Sequence, residues 1–122
     1  MDRLQAIRGA TTADINEPGE ILLKTQQLLR ELLRVNNLKS SDIISIVFTA
    51  TPDLNAAFPA AAARAIGLTQ VALLDAVEIA VPGALPRAIR VLVLVDRPHA
   101  PQDVHHVYLG EARKLRPDWV NR

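Results

Sequence analysis

Arg90 heads an otherwise apolar run, Ala88-Ile89-Arg90-Val91-Leu92-Val93-Leu94-Val95. Strand alternation puts it on one face with Leu92 and Leu94, and a desolvated guanidinium without a counterion costs several kcal/mol. It therefore reaches solvent at a strand edge, pairs with Glu78 or Asp75, or holds an anionic ligand. The chain offers further groups suited to a carboxylate. Arg8 lies among small neighbours in Ala6-Ile7-Arg8-Gly9-Ala10, where a ligand could approach the backbone. Arg64 and Arg116 add cations, and Tyr108, the only tyrosine, can donate from its phenol or serve as a half-buried packing residue. Glu78 can accept from a ligand hydroxyl or pair with Arg90. Asp75 and Glu78 have opposite strand parity, so for both to line one pocket the strand must end or bulge between them. Phe58 and Ala60 form an apolar wall in one reading and ordinary core in the other. The set reads as a carboxylate-binding catalytic site.

Other chemistries find no support in the residue pattern. The histidines are His99, His105 and His106, and adjacent residues of a strand point to opposite faces, so no pair is spaced to grip one metal ion. Neither a Walker-type nor a dinucleotide-binding glycine pattern occurs, no serine sits in a G-x-S-x-G elbow, and cysteine is absent.

The elements that must position these groups follow from periodicity. Residues 3–10 alternate as a strand, with Leu4, Ala6, Arg8 and Ala10 on one face and Gln5, Ile7 and Gly9 on the other. A loop over 11–19 leads to a helix, with Asn16 as its cap and Pro18 in its first turn. From 20 to 35, Ile21, Leu22, Leu28, Leu29, Leu32, Leu33 and Val35 recur at helical spacing, and Asn36 and Asn37 stop the helix. Residues 43–50 have strand composition and end at Thr51-Pro52-Asp53. The alanine-rich stretch 56–66 predicts a short helix starting near Pro59, with Arg64 near its end and Gly67 closing it. Two strands follow, 71–77 and 87–95, separated by Val81-Pro82-Gly83 and Pro86. A last strand is expected over 106–114, and a tail from about 117 that includes Trp119.

This order implies an α+β fold, a mixed five-stranded sheet packed on one long helix. One helix hardly covers both faces of such a sheet, so the other face needs partner subunits, and a homo-oligomer is expected. At 122 residues the chain makes a single domain, 1–122, able to bury roughly two thirds of its unfolded surface. The net charge of +1, with no run of like charge, argues against nucleic acid and anionic membrane as partners. No stretch is apolar enough to span a bilayer, the N-terminus lacks a signal-type core, and the missing cysteines fit a reducing compartment; a cytoplasmic protein is expected. Eleven arginines against three lysines suit carboxylate recognition, but a codon bias explains them as well.

In order along nearly the whole chain, Ile7-Arg8-Gly9-Ala10-Thr11-Thr12, Ala50-Thr51-Pro52-Asp53-Leu54, Ala57-Phe58-Pro59-Ala60, Ala63-Arg64, Arg87-Ala88-Ile89-Arg90-Val91, Pro101-Gln102-Asp103, His106-Val107-Tyr108-Leu109 and Leu115-Arg116-Pro117-Asp118 resemble monofunctional chorismate mutases of the AroH class. The resemblance implies a homotrimeric pseudo-α/β barrel with sites at subunit interfaces, conversion of chorismate to prephenate, and no cofactor. By the same resemblance, Arg90 binds the ether oxygen of the breaking bond and a carboxylate, Arg8 and Tyr108 hold a carboxylate, and Glu78 takes the ring hydroxyl. Phe58, Ala60, Leu74 and Leu115 line the site, and Arg64 and Arg116 stand at its mouth. Two positions depart from the family: Asp75 stands where Cys is frequent, and Ala61 where Lys is frequent. Asp75 then pairs with an arginine, accepts a hydroxyl proton, or weakens binding of a dianion. A non-catalytic trimeric carboxylate sensor and an imine deaminase of similar architecture are the alternatives for the same arginine set.

Overall fold

A nine-residue strand rich in Val, Leu and Ile, β4, runs through the middle of the molecule. The computed structural model describes residues 3–98 and 100–116; His99 and the tail expected from about 117, with Trp119, lie outside the described residues. In chain order the elements are β1 (Leu4–Thr12), α1 (Pro18–Val35), β2 (Ile43–Ala50), α2 (Ala60–Ala65), β3 (Ala72–Val77), β4 (Ala88–Asp96) and β5 (Val107–Tyr108), with 3-10 turns at Ser40–Asp42 and Gly110–Lys114. The strands form one sheet in the order β3-β2-β4-β1-β5. β4 is antiparallel to both neighbours, while β2 with β3 and β1 with β5 are parallel, which makes the sheet mixed.

From Ile89 onward β4 alternates, after a buried Ala88 at its head. Ile89, Val91, Val93 and Val95 are buried against the helical layer, and Arg90, Leu92 and Leu94 point the other way. The buried stripe of α1, Ile21, Thr25, Leu28, Leu29 and Leu32, lies on the first face. With Ile7, Ile46 and Phe48 these side chains form the core, and β1 approaches α1 closely at Gly9. A Cβ built at Gly9 would meet Leu28 Cδ1 and Val91 Cγ2 at 3.1 Å and Leu32 Cδ1 at 3.2 Å. The space beside Gly9 is thus taken by side chains of α1 and β4.

Several local expectations change. Pro18 is the first residue of α1, but its cap is Glu17 without a side-chain bond, because Asn16 is engaged elsewhere. Asn16 Oδ1 accepts from the backbone N–H groups of Asn55 and Ala56, each at 3.1 Å, which ties the start of α1 to the loop after β2. The last strand shrinks from the expected 106–114 to Val107–Tyr108. Gly110, at φ +57°, turns the chain into a 3-10 helix, and Glu111 N–H donates to Thr12 Oγ1. A Cβ at Gly110 would lie 2.7 Å from that hydroxyl, so only glycine fits the turn. The single long helix on the sheet is joined by α2, which crosses from β2 to β3.

Asp75 fastens α2 to β3: its Oδ1 accepts from Ala60 N–H at 3.0 Å. Burial raises the Asp75 carboxyl above its ordinary value, and the Ala60 N–H and the charge of Arg64 counter this only in part. A carboxyl whose folded pKa is raised contributes stability below its unfolded pKa and loses it as pH rises through the folded value. Ionised Asp75 therefore weighs against the fold near neutrality. Asp75→Asn keeps an acceptor for Ala60 and is expected to raise the thermal midpoint at neutral pH, the gain vanishing below the carboxylate range; a midpoint that falls at neutral pH would show that the charge stabilises. At Gly9, Gly9→Val overpacks the β1–α1 contact and is expected to cost about 1–3 kcal/mol in urea unfolding.

Candidate active site

The face of the sheet away from α1 carries the candidate groups in transverse rows. Residues paired directly across strands share a face, so the register places Thr49 of β2, Arg90 of β4, Ala10 of β1 and Tyr108 of β5 side by side. Glu78 completes the row. It follows β3 by one residue, its N–H donates to Ala50 O at 2.9 Å, and its side chain reaches over β2. The next row holds Leu74, Val47, Leu92 and Arg8. With strands roughly 5 Å apart, the row from Arg90 to Tyr108 spans on the order of 10 Å, the width of a small ligand.

Arg90 meets Glu78: Nε lies 3.3 Å from Oε1, and both side chains are half-buried. The Thr49 hydroxyl donates to the same oxygen. Among the described residues no hydrogen bond or ion pair engages the terminal nitrogens of Arg90 or Glu78 Oε2. The cation is thus held from one side and presented from the other, which suits recognition of an anion.

The head of β4 is clamped by the turn that ends β2. Thr51 and Ala88 are bonded twice, Thr51 N–H donating to Ala88 O at 3.0 Å and Ala88 N–H donating to the Thr51 side-chain Oγ1 at 3.0 Å. Asp53 takes Arg87 N–H at 2.9 and 3.2 Å, and Arg87 Nε donates to Ala13 O. These bonds hold Arg87 at φ +49°, a left-handed backbone that a non-glycine residue adopts at a cost of about 1–3 kcal/mol. The strain lies three residues from Arg90.

Tyr108 stands on the shortest strand and needs other anchors. It packs with Ala10 and Ala112, against which Leu115 also lies, and Leu109 N–H donates to Ala10 O at 2.9 Å. Behind it, the buried Asn36 side chain grips residue 105 twice, donating to His105 O at 2.8 Å and accepting from His105 N–H at 2.7 Å. Arg97 in turn donates to Asn36 O at 2.7 Å. Arg8 N–H donates to His106 Nδ1 at 3.0 Å, so a side chain takes over where the β5 ladder stops.

The remaining candidates lie elsewhere. Phe58, 71% exposed, and Asp75 line a pocket of about 390 Å³ between the β2–α2 loop and the end of β3. Asp75 points toward α2, whereas Glu78 and Arg90 are on the opposite face, so among the described residues the two carboxylates lie on different sides of the sheet although β3 ends between them. Ala60 is buried in the core, Arg64 is exposed at the end of α2, and Leu74 stands 62% exposed on the open face. Arg116 is half-buried directly after Leu115. Sequence reasoning missed Thr49, Asn36 and Asp53 as positioning groups. Thr49 stands out only as a hydroxyl in an apolar run, and its position between Glu78 and Arg90 depends on strand order.

The chain is similar to known proteins over nearly its whole length. The family model for chorismate mutase type I matches residues 4–119. Chorismate mutase AroH of Thermus thermophilus is 49% identical over 117 residues, covering 94% of this chain and 95% of that protein. Chorismate mutase AroH of Bacillus subtilis (strain 168) is 42% identical over 117 residues, covering 94% and 91%. The solved structure of chorismate mutase from Clostridium thermocellum, Cth-682, superposes with a TM-score of 0.87 at 50% identity, over 90% of this chain and 98% of that one. The family model spanning residues 4–119, identities of 42–50% over nearly the full length, and the shared five-stranded mixed-sheet fold place this chain in the type I, AroH-type family of chorismate mutases.

Proposed function

We propose that the chain is an isomerase that converts chorismate to prephenate at the open sheet face, in phenylalanine and tyrosine biosynthesis, with Arg90 as the residue that lowers the barrier. The observation that carries the reading is the half-buried Arg90 guanidinium, beside Glu78 at 3.3 Å with its terminal nitrogens unengaged among the described residues. The reaction is pericyclic: one C–O bond breaks as one C–C bond forms within a single molecule, with no nucleophile, acid or base. The protein has to hold a flexible dianion in its compact reactive conformer, and paired cationic clamps do this. Negative charge grows on the ether oxygen as its bond breaks, so a fixed cation there interacts more strongly in the transition state than in the ground state.

In this reading Arg8 and Tyr108 hold a carboxylate beside Arg90, Glu78 accepts from the ring hydroxyl through Oε2, and Leu115 packs behind Tyr108. Leu74 and Phe58 wall the site, with Ala60 supporting Phe58 from the core. Arg64 and Arg116 guard the mouth, and Asp75 lies at the rim.

The sheet separates Phe58, Asp75 and Arg64 from the Arg90 row within one chain, so a second copy must bring one group to the other. Leu4, Leu74, Leu92 and Leu94 on the open face remain exposed and supply the apolar area for that contact. The reading is therefore a homotrimer, a pseudo-α/β barrel with the sheets inward and sites between subunits. It acts in the cytoplasm on a small-molecule substrate, with no cofactor, nucleic acid or membrane partner.

Purified protein is expected to deplete chorismate and yield prephenate, and Arg90→Ala to lose at least about 3 kcal/mol of transition-state stabilisation, a hundredfold or more in rate. Near-normal turnover by Arg90→Ala would remove the electrostatic argument, and saturable binding without product would make the chain a sensor. Light scattering is expected to give three chain masses, and Leu92→Glu to lower both the mass and the activity. An active monomer would contradict shared sites.

A further inference from the structure

An arginine and a glutamate this close ordinarily close into a bidentate pair, two parallel N–H···O bonds that use both carboxylate oxygens and much of the guanidinium fork. Here only Arg90 Nε approaches Glu78, at 3.3 Å, and it approaches the oxygen that Thr49 also engages. The strand order explains the difference. Glu78 leaves the end of β3, Arg90 stands on β4, and β2 lies between them with Thr49 directly opposite Arg90. The carboxylate must pass over Thr49 to reach the guanidinium, and the hydroxyl takes hold of it on the way.

From this geometry we infer that Thr49 is a positioning residue that keeps the Arg90–Glu78 pair open. By binding Glu78 Oε1, its hydroxyl prevents the carboxylate from advancing onto the guanidinium fork. Glu78 Oε2 is then left for a ligand hydroxyl, and the terminal nitrogens of Arg90 for the substrate's negative charge. Without the hydroxyl, the enzyme's own carboxylate competes with the substrate for Arg90.

The test is Thr49→Val, close in shape to threonine but without the donor. Losing a hydrogen bond to a charged group is expected to raise KM for chorismate roughly tenfold or more and to lower kcat with it. Thr49→Ser, which keeps the hydroxyl, is expected to restore most of the loss. The decisive arm is the Glu78→Ala background, where no carboxylate is left to release and Thr49→Val is expected to change kcat/KM by less than about twofold. A threonine needed only for the fold would cost the same factor in both backgrounds. In a crystal structure of Thr49→Val, two N–O contacts between Arg90 and Glu78 are expected in place of one. Wild-type kinetics in Thr49→Val, equal losses in the two backgrounds, or an unchanged single contact would each overturn the inference. It rests on the mutase reading; if the wild-type protein failed to turn over chorismate, that reading would fall, while the crystal structure of Thr49→Val would still decide what Thr49 does to the ion pair.

Discussion

The alternation of β4 is the constraint from which the rest follows. It is the central strand, bonded along its length to β1 on one side and β2 on the other, and each of its residues faces either α1 or the open side. A shift of one residue would bury Arg90 in the core and expose Ile89, Val91, Val93 and Val95. The packing of four branched side chains under α1 therefore fixes where the guanidinium points. Stability and catalysis are coupled through one pairing register.

The open face has two characters along the strands. At the row that contains Arg90 it is polar, with Glu78, Thr49 and Tyr108, and Arg8 adds a cation in the next row. Further along it is apolar, with Leu92, Leu94, Leu4 and Leu74 exposed. An exposed apolar sheet face is costly in water, and a surface of this kind marks a place where another surface belongs. An arginine on the same face is half-buried in the single chain and so escapes deep desolvation.

Rigidity around Arg90 is built largely from side chains that bond the backbone. The Thr51-Pro52-Asp53 turn clamps the start of β4 and holds Arg87 in a strained left-handed conformation. Asn36 and Arg97 anchor the chain just before β5, where two ladder pairs alone would leave Tyr108 poorly fixed. Site residues from strands distant in sequence are thereby held to one row, the precision that preorganised electrostatics requires.

The sequence by itself determined the strand and helix types, the buried stripe of α1, the arginine with its small set of partners, and the shortage of helix to cover the sheet. These depend on local periodicity and composition, which the chain carries at every position. The family was also legible, because its motifs recur in order. Only the tertiary structure decided the rest. Strand order put Thr49 between Glu78 and Arg90, and Asp75 and Glu78 lie on opposite faces even though β3 ends between them. The space at Gly9 went to α1 and β4, and Gly110 cut the last strand to two residues. Each of these depends on which strands become neighbours and in what register, and such long-range pairings leave no local pattern in the residues that make them.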